Sequence, residues 1–239
     1  GHRTLWWAAA VLADYGGTFL GGSAGWRLRS AEHFAERHGL MVIIALGESI
    51  VAIGVGTEHL AISWPIIATG VAGMALVAGL WWIYFDISAI KGEEALAEAI
   101  RDGRMAMARD AYSLLHLPLV AGIVLLALGL KKTMAYVGNP HLHDLSDPLG
   151  TVAAAALFGG VTVYLLGHIG FKLRTLGVLS KPRAGLVVLV AIAWAVAGDV
   201  PALLQVVLLA VLVWLLAGFE TIRYAEERGR VRHAGHDHD

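Results

Sequence analysis

The sequence predicts an all-α, polytopic bundle of about seven membrane-spanning helices, and three observations carry that prediction. Of the 239 residues 57% are hydrophobic and only 15% charged, with a mean hydropathy of +0.67. The apolar residues fall in blocks instead of alternating, as in helices solvated by lipid. Seven blocks approach the roughly 20 residues that a membrane crossing needs: 4–22, 36–56, 62–85, 111–130, 150–171, 184–199 and 201–219. Lys and Arg supply the third observation. If the seven blocks alternate sides, fifteen of the 18 basic residues fall on one side and only Arg3, Lys131 and Lys132 on the other. The positive-inside rule then places the C-terminus in the cytoplasm and residue 1 outside.

Composition also excludes whole classes of function. The net charge is −1, and the basic residues lie in short clusters between apolar blocks, so no basic face is offered to nucleic acid. Without cysteine there are no disulfides, thiolate metal sites or thiol nucleophiles. The chain starts at Gly1 without Met and without the basic segment of a signal peptide, so further spans are expected upstream.

The first block, "TLWWAAAVLADYGGTFLGG", carries Asp14 roughly 15 Å from the outer edge, at 1.5 Å per residue. The second begins "HFAERHGLMVIIALGESIVAIGVG" and carries Glu48 roughly 18 Å from the inner edge. A charged carboxylate at the bilayer centre costs roughly 2.5–3.5 kcal/mol on insertion scales. Each acid must therefore be neutral, paired or hydrated, and no Lys or Arg shares the depth of Glu48. Small residues border both acids: Gly47, Ser49 and Gly54 near Glu48, and Gly16, Gly17, Gly21 and Gly22 after Asp14. Such stripes let helices approach closely in lipid, so the first two spans are expected to pack together with both acids facing the interior.

Asp86 directly follows the third block, at the inner rim. Residues 92–110, "GEEALAEAIRDGRMAMARD", mix both signs of charge and read as a solvated cytoplasmic connector helix with Leu96, Ile100, Gly103 and Met107 on one stripe. In the fourth block His116 precedes Pro118, whose missing N–H frees the Leu114 carbonyl near the imidazole. The following loop holds His141, His143, Asp144 and Asp147, a set suited to metal or pH sensing but accounted for more simply by ordinary turn chemistry. The fifth block carries His168 near Lys172, close to the inner edge. Only "GDVP" separates the sixth from the seventh, which predicts a tight hairpin with Pro201 where its lost donor costs least. Residues 1–222 thus read as one transmembrane domain and 223–239 as a disordered cytoplasmic tail, whose "HAGHDHD" (233–239) is a weak metal signal.

"HFAERHGLMVIIALGESIVAIG", "WWIYFD" (81–86), "YSLLHLPLVAGIVLLALGLKK" (112–132) and "YLLGHIGFKLR" (164–174) together resemble the bacterial low temperature requirement protein A (LtrA) family. The resemblance implies the C-terminal portion of an all-helical protein of the bacterial cytoplasmic (inner) membrane, from a family linked to growth in the cold. It implies no mechanism.

The function has to be read from the intramembrane polar groups, which are functional by default. Asp14, Glu48, His116 and His168 form a candidate path for a proton, cation or small solute, with Glu36, His38, Asp86 and Arg109 at the cytoplasmic rim. This reading makes the chain a transporter or channel whose partners are the lipid bilayer, the carried species and a second copy or membrane-complex partner. The alternative is a structural, sensory or assembly protein that transports nothing. A third reading, an intramembrane metalloenzyme using His116, His168 and Asp86 or Glu36, lacks any HExxH or GxSxG motif. No resident metal or cofactor is expected, and the five lysines all fall in loops or rims, where none can form a buried Schiff base.

Overall fold

A computed structural model of the chain describes residues 2–21, 28–58 and 60–225, and these fold into helices, with one isolated β-bridge between Pro148 and Pro201. In order they are α1 (His2–Leu20), α2 (Ala31–Gly56), α3 (Trp64–Phe85), α4 (Ser88–Glu98), α5 (Arg101–Met107), a π-helical segment (Ala108–Leu114), α6 (Leu115–Val137), α7 (Thr151–Leu176), α8 (Lys181–Ala195), a 3₁₀ turn (Ala197–Asp199) and α9 (Ala202–Arg223). Local signals set several boundaries. Ser30 caps α2 by accepting from the His33 N–H at 3.2 Å, and Gly177, at φ 66°, ends α7 in the left-handed conformation. Pro201 sits at the N-cap of α9, where its missing N–H breaks no helical bond, so "GDVP" is the expected hairpin.

Among the described residues five helical stretches are long and apolar enough to cross a membrane: Ala31–Gly56, Trp64–Glu98, Gly103–Val137, Thr151–Leu176 and Ala202–Arg223. The two other expected blocks are also helical, as α1 with 19 residues and α8 with 15. The expected connector differs. It is split at Ala99 and Ile100 into α4 and α5, and the proposed stripe is broken because Leu96 is fully buried while Ile100 is 87% exposed.

The long helices run up and down. At one end Gly56 of α2 meets the backbone of Lys131 in α6, and the Ala202 N–H donates to the Asp147 carbonyl at 3.0 Å. At the other end Arg183 at the start of α8 reaches Glu220 near the end of α9 and the Ile83 carbonyl of α3. The bundle therefore keeps its arginine-rich ends together, as the sequence alternation requires.

The centre of the bundle is the α6–α7 pair, and glycine sets its spacing. A methyl group on Gly129 would lie 2.6 Å from the backbone nitrogen of Leu157, one on Gly160 2.5 Å from that of Leu126, and one on Gly122 2.7 Å from the Gly160 carbonyl oxygen. Without an aqueous hydrophobic effect between lipid-facing helices, such backbone contact is what drives association. Around this pair α2 packs on α6, α8 on α7, and α9 on α3, where Gly79 admits Val213 and Trp214.

Gly160→Ala should therefore destabilise the bundle by about 1–3 kcal/mol through overpacking, lowering the melting temperature in detergent by several degrees. Gly159→Ala, on the same helix but with nothing near the added methyl, should leave it unchanged or slightly raised. Equal melting shifts for the two would show that the close approach is absent.

Candidate functional site: a buried histidine–tyrosine cluster

The α6–α7 contact carries His116 and His168 into one buried cluster with Tyr84 of α3, Tyr112 of the π-helical segment and His38 of α2. His116, His168, Tyr84 and Tyr112 are each no more than 1% exposed. The His116 Nδ1–H donates to the Ala111 carbonyl at 3.1 Å; because a carbonyl only accepts, Nδ1 carries a proton. In the neutral ring Nε2 is then an acceptor, and the Tyr84 hydroxyl donates to it at 2.7 Å. Tyr112 stacks on His116 with ring centroids 5.4 Å apart, the His38 ring is 5.1 Å from that of His116, and the His168 ring is 5.6 Å from that of Tyr84. His38 is itself fixed by donating Nδ1–H to the Phe34 carbonyl at 2.8 Å.

The helical hydrogen bonding changes here for a local reason. Pro118 has no N–H for the Leu114 carbonyl, and the turns before it widen to π geometry, with the Leu115 N–H bonded to the Asp110 carbonyl. The freed Leu114 carbonyl accepts the hydroxyl of Tyr15 from α1. The acceptor expected from the proline is thus present, and α1 uses it.

Two features distinguish the cluster from the surrounding apolar core. Both His168 ring nitrogens and the Tyr112 hydroxyl are buried and make no hydrogen bond within the protein. Buried polar atoms are nearly always satisfied, so such groups mark a place for water or a transferable proton. A groove of about 440 Å³ also runs from Tyr84 and Tyr112 past Gly39 to the carboxylates of Glu36 and Glu93. Below it α4 closes the arginine-rich end; a methyl on Gly92 would lie 2.6 Å from the Phe171 ring and 3.2 Å from the Tyr112 hydroxyl.

The carboxylates behave differently from expectation. Asp14 and Glu48 are both exposed, and α1 packs on the π-helical segment through Tyr15, with no extensive contact to α2. The buried face of α2 runs through Gly39, Val42, Ala45, Leu46, Ser49, Ala52, Ile53 and Gly56. Glu48 lies one residue, or about 100°, off Ser49 and so points away. The glycine stripe is likewise unused, since nothing lies within 4 Å of a methyl built on Gly47 or Gly54. The expected interior pairing of the two acids is therefore not met among the described residues.

At the rim, Glu36 is exposed and lies 3.6 Å from His33. Arg109 pairs with Asp110 at 2.6 Å, which also accepts from Arg174 at 2.9 Å, so its partner is its own neighbour and not Asp86. Asp86 lines a separate cavity with Arg183 and Glu220. Among the described residues no three His, Asp or Glu side chains are arranged to hold a metal. In the loop, His143 stacks on Tyr136 and Asp147 accepts from the Asp144 N–H at 2.8 Å, which is turn chemistry. The tail motif at 233–239 lies outside the described residues. Lys172, expected at a rim, is only 9% exposed.

Sequence reasoning missed Tyr84, although "WWIYFD" was singled out; its partner His116 lies 32 residues away, beyond any local pattern. It also missed the Arg183–Glu220 pair for the same reason.

The family of bacterial low temperature requirement A proteins (LtrA) matches residues 1–218. The chain belongs to the LtrA family. An uncharacterized protein of Rhizobium meliloti (strain 1021) is 29% identical over 241 residues, covering 92% of this chain and 55% of the relative, so the chain spans about half the length of that curated relative. No solved structure matches. Of the family-bearing stretches, three meet in the cluster besides the α2 stretch that brings His38: Tyr84, Tyr112 with His116, and His168 each come from one of them.

In this LtrA chain, removing one partner of the Tyr84–His116 bond should cost about 1–3 kcal/mol, because the other is left buried and unsatisfied. Removing both, as Tyr84→Phe with His116→Phe, should cost clearly less than the two single losses added together. Thermal unfolding of the four proteins checks this; strict additivity would mean that the two side chains do not interact.

Proposed function

We propose that this LtrA protein is a multi-pass transporter or channel of the bacterial inner membrane that moves protons, alone or with a cation or small solute. The observation that carries the reading is the buried Tyr84–His116 hydrogen bond beside His168, whose ring nitrogens have no protein partner. A phenol bonded to an imidazole is a proton-transfer pair, and a chain of such groups in a membrane span is the usual substrate of a relay.

In this reading a proton passes from the groove at Glu36 and Tyr112, beside His38, through His116 and Tyr84 to His168. The arginine-rich end is cytoplasmic, by the charge bias, and Asp86 and Arg109 shape its rim. Asp14 and Glu48, exposed on the flanks of α1 and α2, are the groups through which a second copy or membrane partner continues the path. The closely packed rings around His116 favour a second reading, a sensory or assembly protein linked to cold growth in which the cluster is only a polar core.

The test is proton uptake into liposomes holding the purified protein, driven by a potassium diffusion potential and read with an enclosed pH dye. Wild type should conduct, and Tyr84→Phe and His116→Phe should each slow uptake by about a hundredfold. Glu48→Gln should slow it too. Uptake at the protein-free rate in wild type would favour the assembly reading, and equal uptake in wild type and Tyr84→Phe would remove the cluster from the path.

A further inference from the structure

A second polar site adjoins the histidine cluster at the arginine-rich end, where the ends of α3, α7 and α9 meet α4 and the start of α8. It is a cavity of about 330 Å³. Its charged lining is Lys91, Lys172 and Arg183 against Asp86 and Glu220, a net excess of one positive charge. Arg183 organises it and is 1% exposed. Its Nε donates to Glu220 Oε1 at 2.9 Å and one terminal nitrogen to Glu220 Oε2 at 2.7 Å; that same nitrogen also serves the Ile83 carbonyl and the Ser88 hydroxyl, both at 3.1 Å. The other terminal nitrogen is buried and has no hydrogen-bond partner.

That distribution is unusual for a guanidinium. One face is saturated by a bidentate carboxylate and two further oxygens, while the other retains two N–H donors with nothing to receive them. A buried charged donor left unused is costly, and arginine's planar fork matches phosphate oxygens as well as it matches a carboxylate. Lys172, also buried, holds its ammonium 5.6 Å from the Tyr224 ring on the same wall. The remaining walls are apolar, with Trp82, Ile83, Leu176 and Ala217 among them. A cationic, partly apolar pocket between helix ends is the form that anionic lipid headgroups occupy.

We propose that this cavity binds the phosphate of a net-anionic ligand, held by Lys172 and Lys91 and reached by the unused terminal nitrogen of Arg183 once the atoms now covering it shift. The bound phosphate would tie α8 to α4 and α7 at the arginine-rich end. An anionic phospholipid headgroup and free inorganic phosphate present the same chemistry, and the experiment separates them.

The full chain is placed in nanodiscs of phosphatidylcholine alone or doped with phosphatidylglycerol, and retained lipid is counted by native mass spectrometry, with and without added inorganic phosphate. Wild type should retain one phosphatidylglycerol in preference to phosphatidylcholine. Lys91→Gln and Lys172→Gln together should weaken that retention by about tenfold or more. Arg183→Lys, which keeps the charge but lacks the second terminal nitrogen, should also weaken it. Displacement by inorganic phosphate supports the site in its free-anion form, and retention unaffected by phosphate supports the lipid form. If a Lys172 or Arg183 variant fails to fold, Lys91→Gln alone decides. Equal retention of the two lipids, or retention unchanged in every folded variant, overturns the proposal.

Discussion

The α6–α7 approach is the constraint on which the rest of the structure depends. Gly122, Gly129 and Gly160 let the two backbones touch, and nothing larger fits at those positions without moving a main chain. With the axes so close, His116 and His168, on facing helices, both reach the Tyr84 ring. A wider spacing would leave them to separate environments. The site is thus a consequence of helix packing, and the packing is a consequence of where the sequence omits side chains.

Pro118 adds the second ingredient. It costs α6 one backbone bond, and the chain answers with π geometry before it, which sets Tyr112 parallel to His116 and gives His116 Nδ1 the Ala111 carbonyl. The backbone thereby chooses the protonated nitrogen of the imidazole, and with it the direction of the Tyr84 bond. The Leu114 carbonyl left over recruits α1 through Tyr15. One missing hydrogen thus helps to fix a ring tautomer and the docking of a helix.

The parts of this arrangement legible in the sequence are those that depend on composition along the chain. Apolar blocks marked the helices, the 18 basic residues marked their alternation, and Pro118 with Leu114 marked the free acceptor. What stayed illegible depends on rotation about a helix axis and on contacts distant in sequence. The small neighbours of Glu48 point to an interior position, but the buried face of α2 passes through Ser49 and leaves Glu48 outside. Arg183 counted as one more rim charge, since nothing local says that Glu220, 37 residues on, returns beside it. The break at Ala99 and Ile100 was hidden because mixed charge fits a continuous solvated helix equally well.

Whether the histidine–tyrosine cluster is a relay or a sealed core comes down to its exchange with water. Solid-state ¹⁵N NMR on histidine-labelled protein in bilayers reads this directly, through the protonated nitrogen of each ring and its exchange peaks with water. The account predicts His116 protonated at Nδ1, with Nε2 accepting from Tyr84, and water exchange reaching His168. A His168 ring with no exchange to water, or His116 protonated at Nε2 alone, would contradict it.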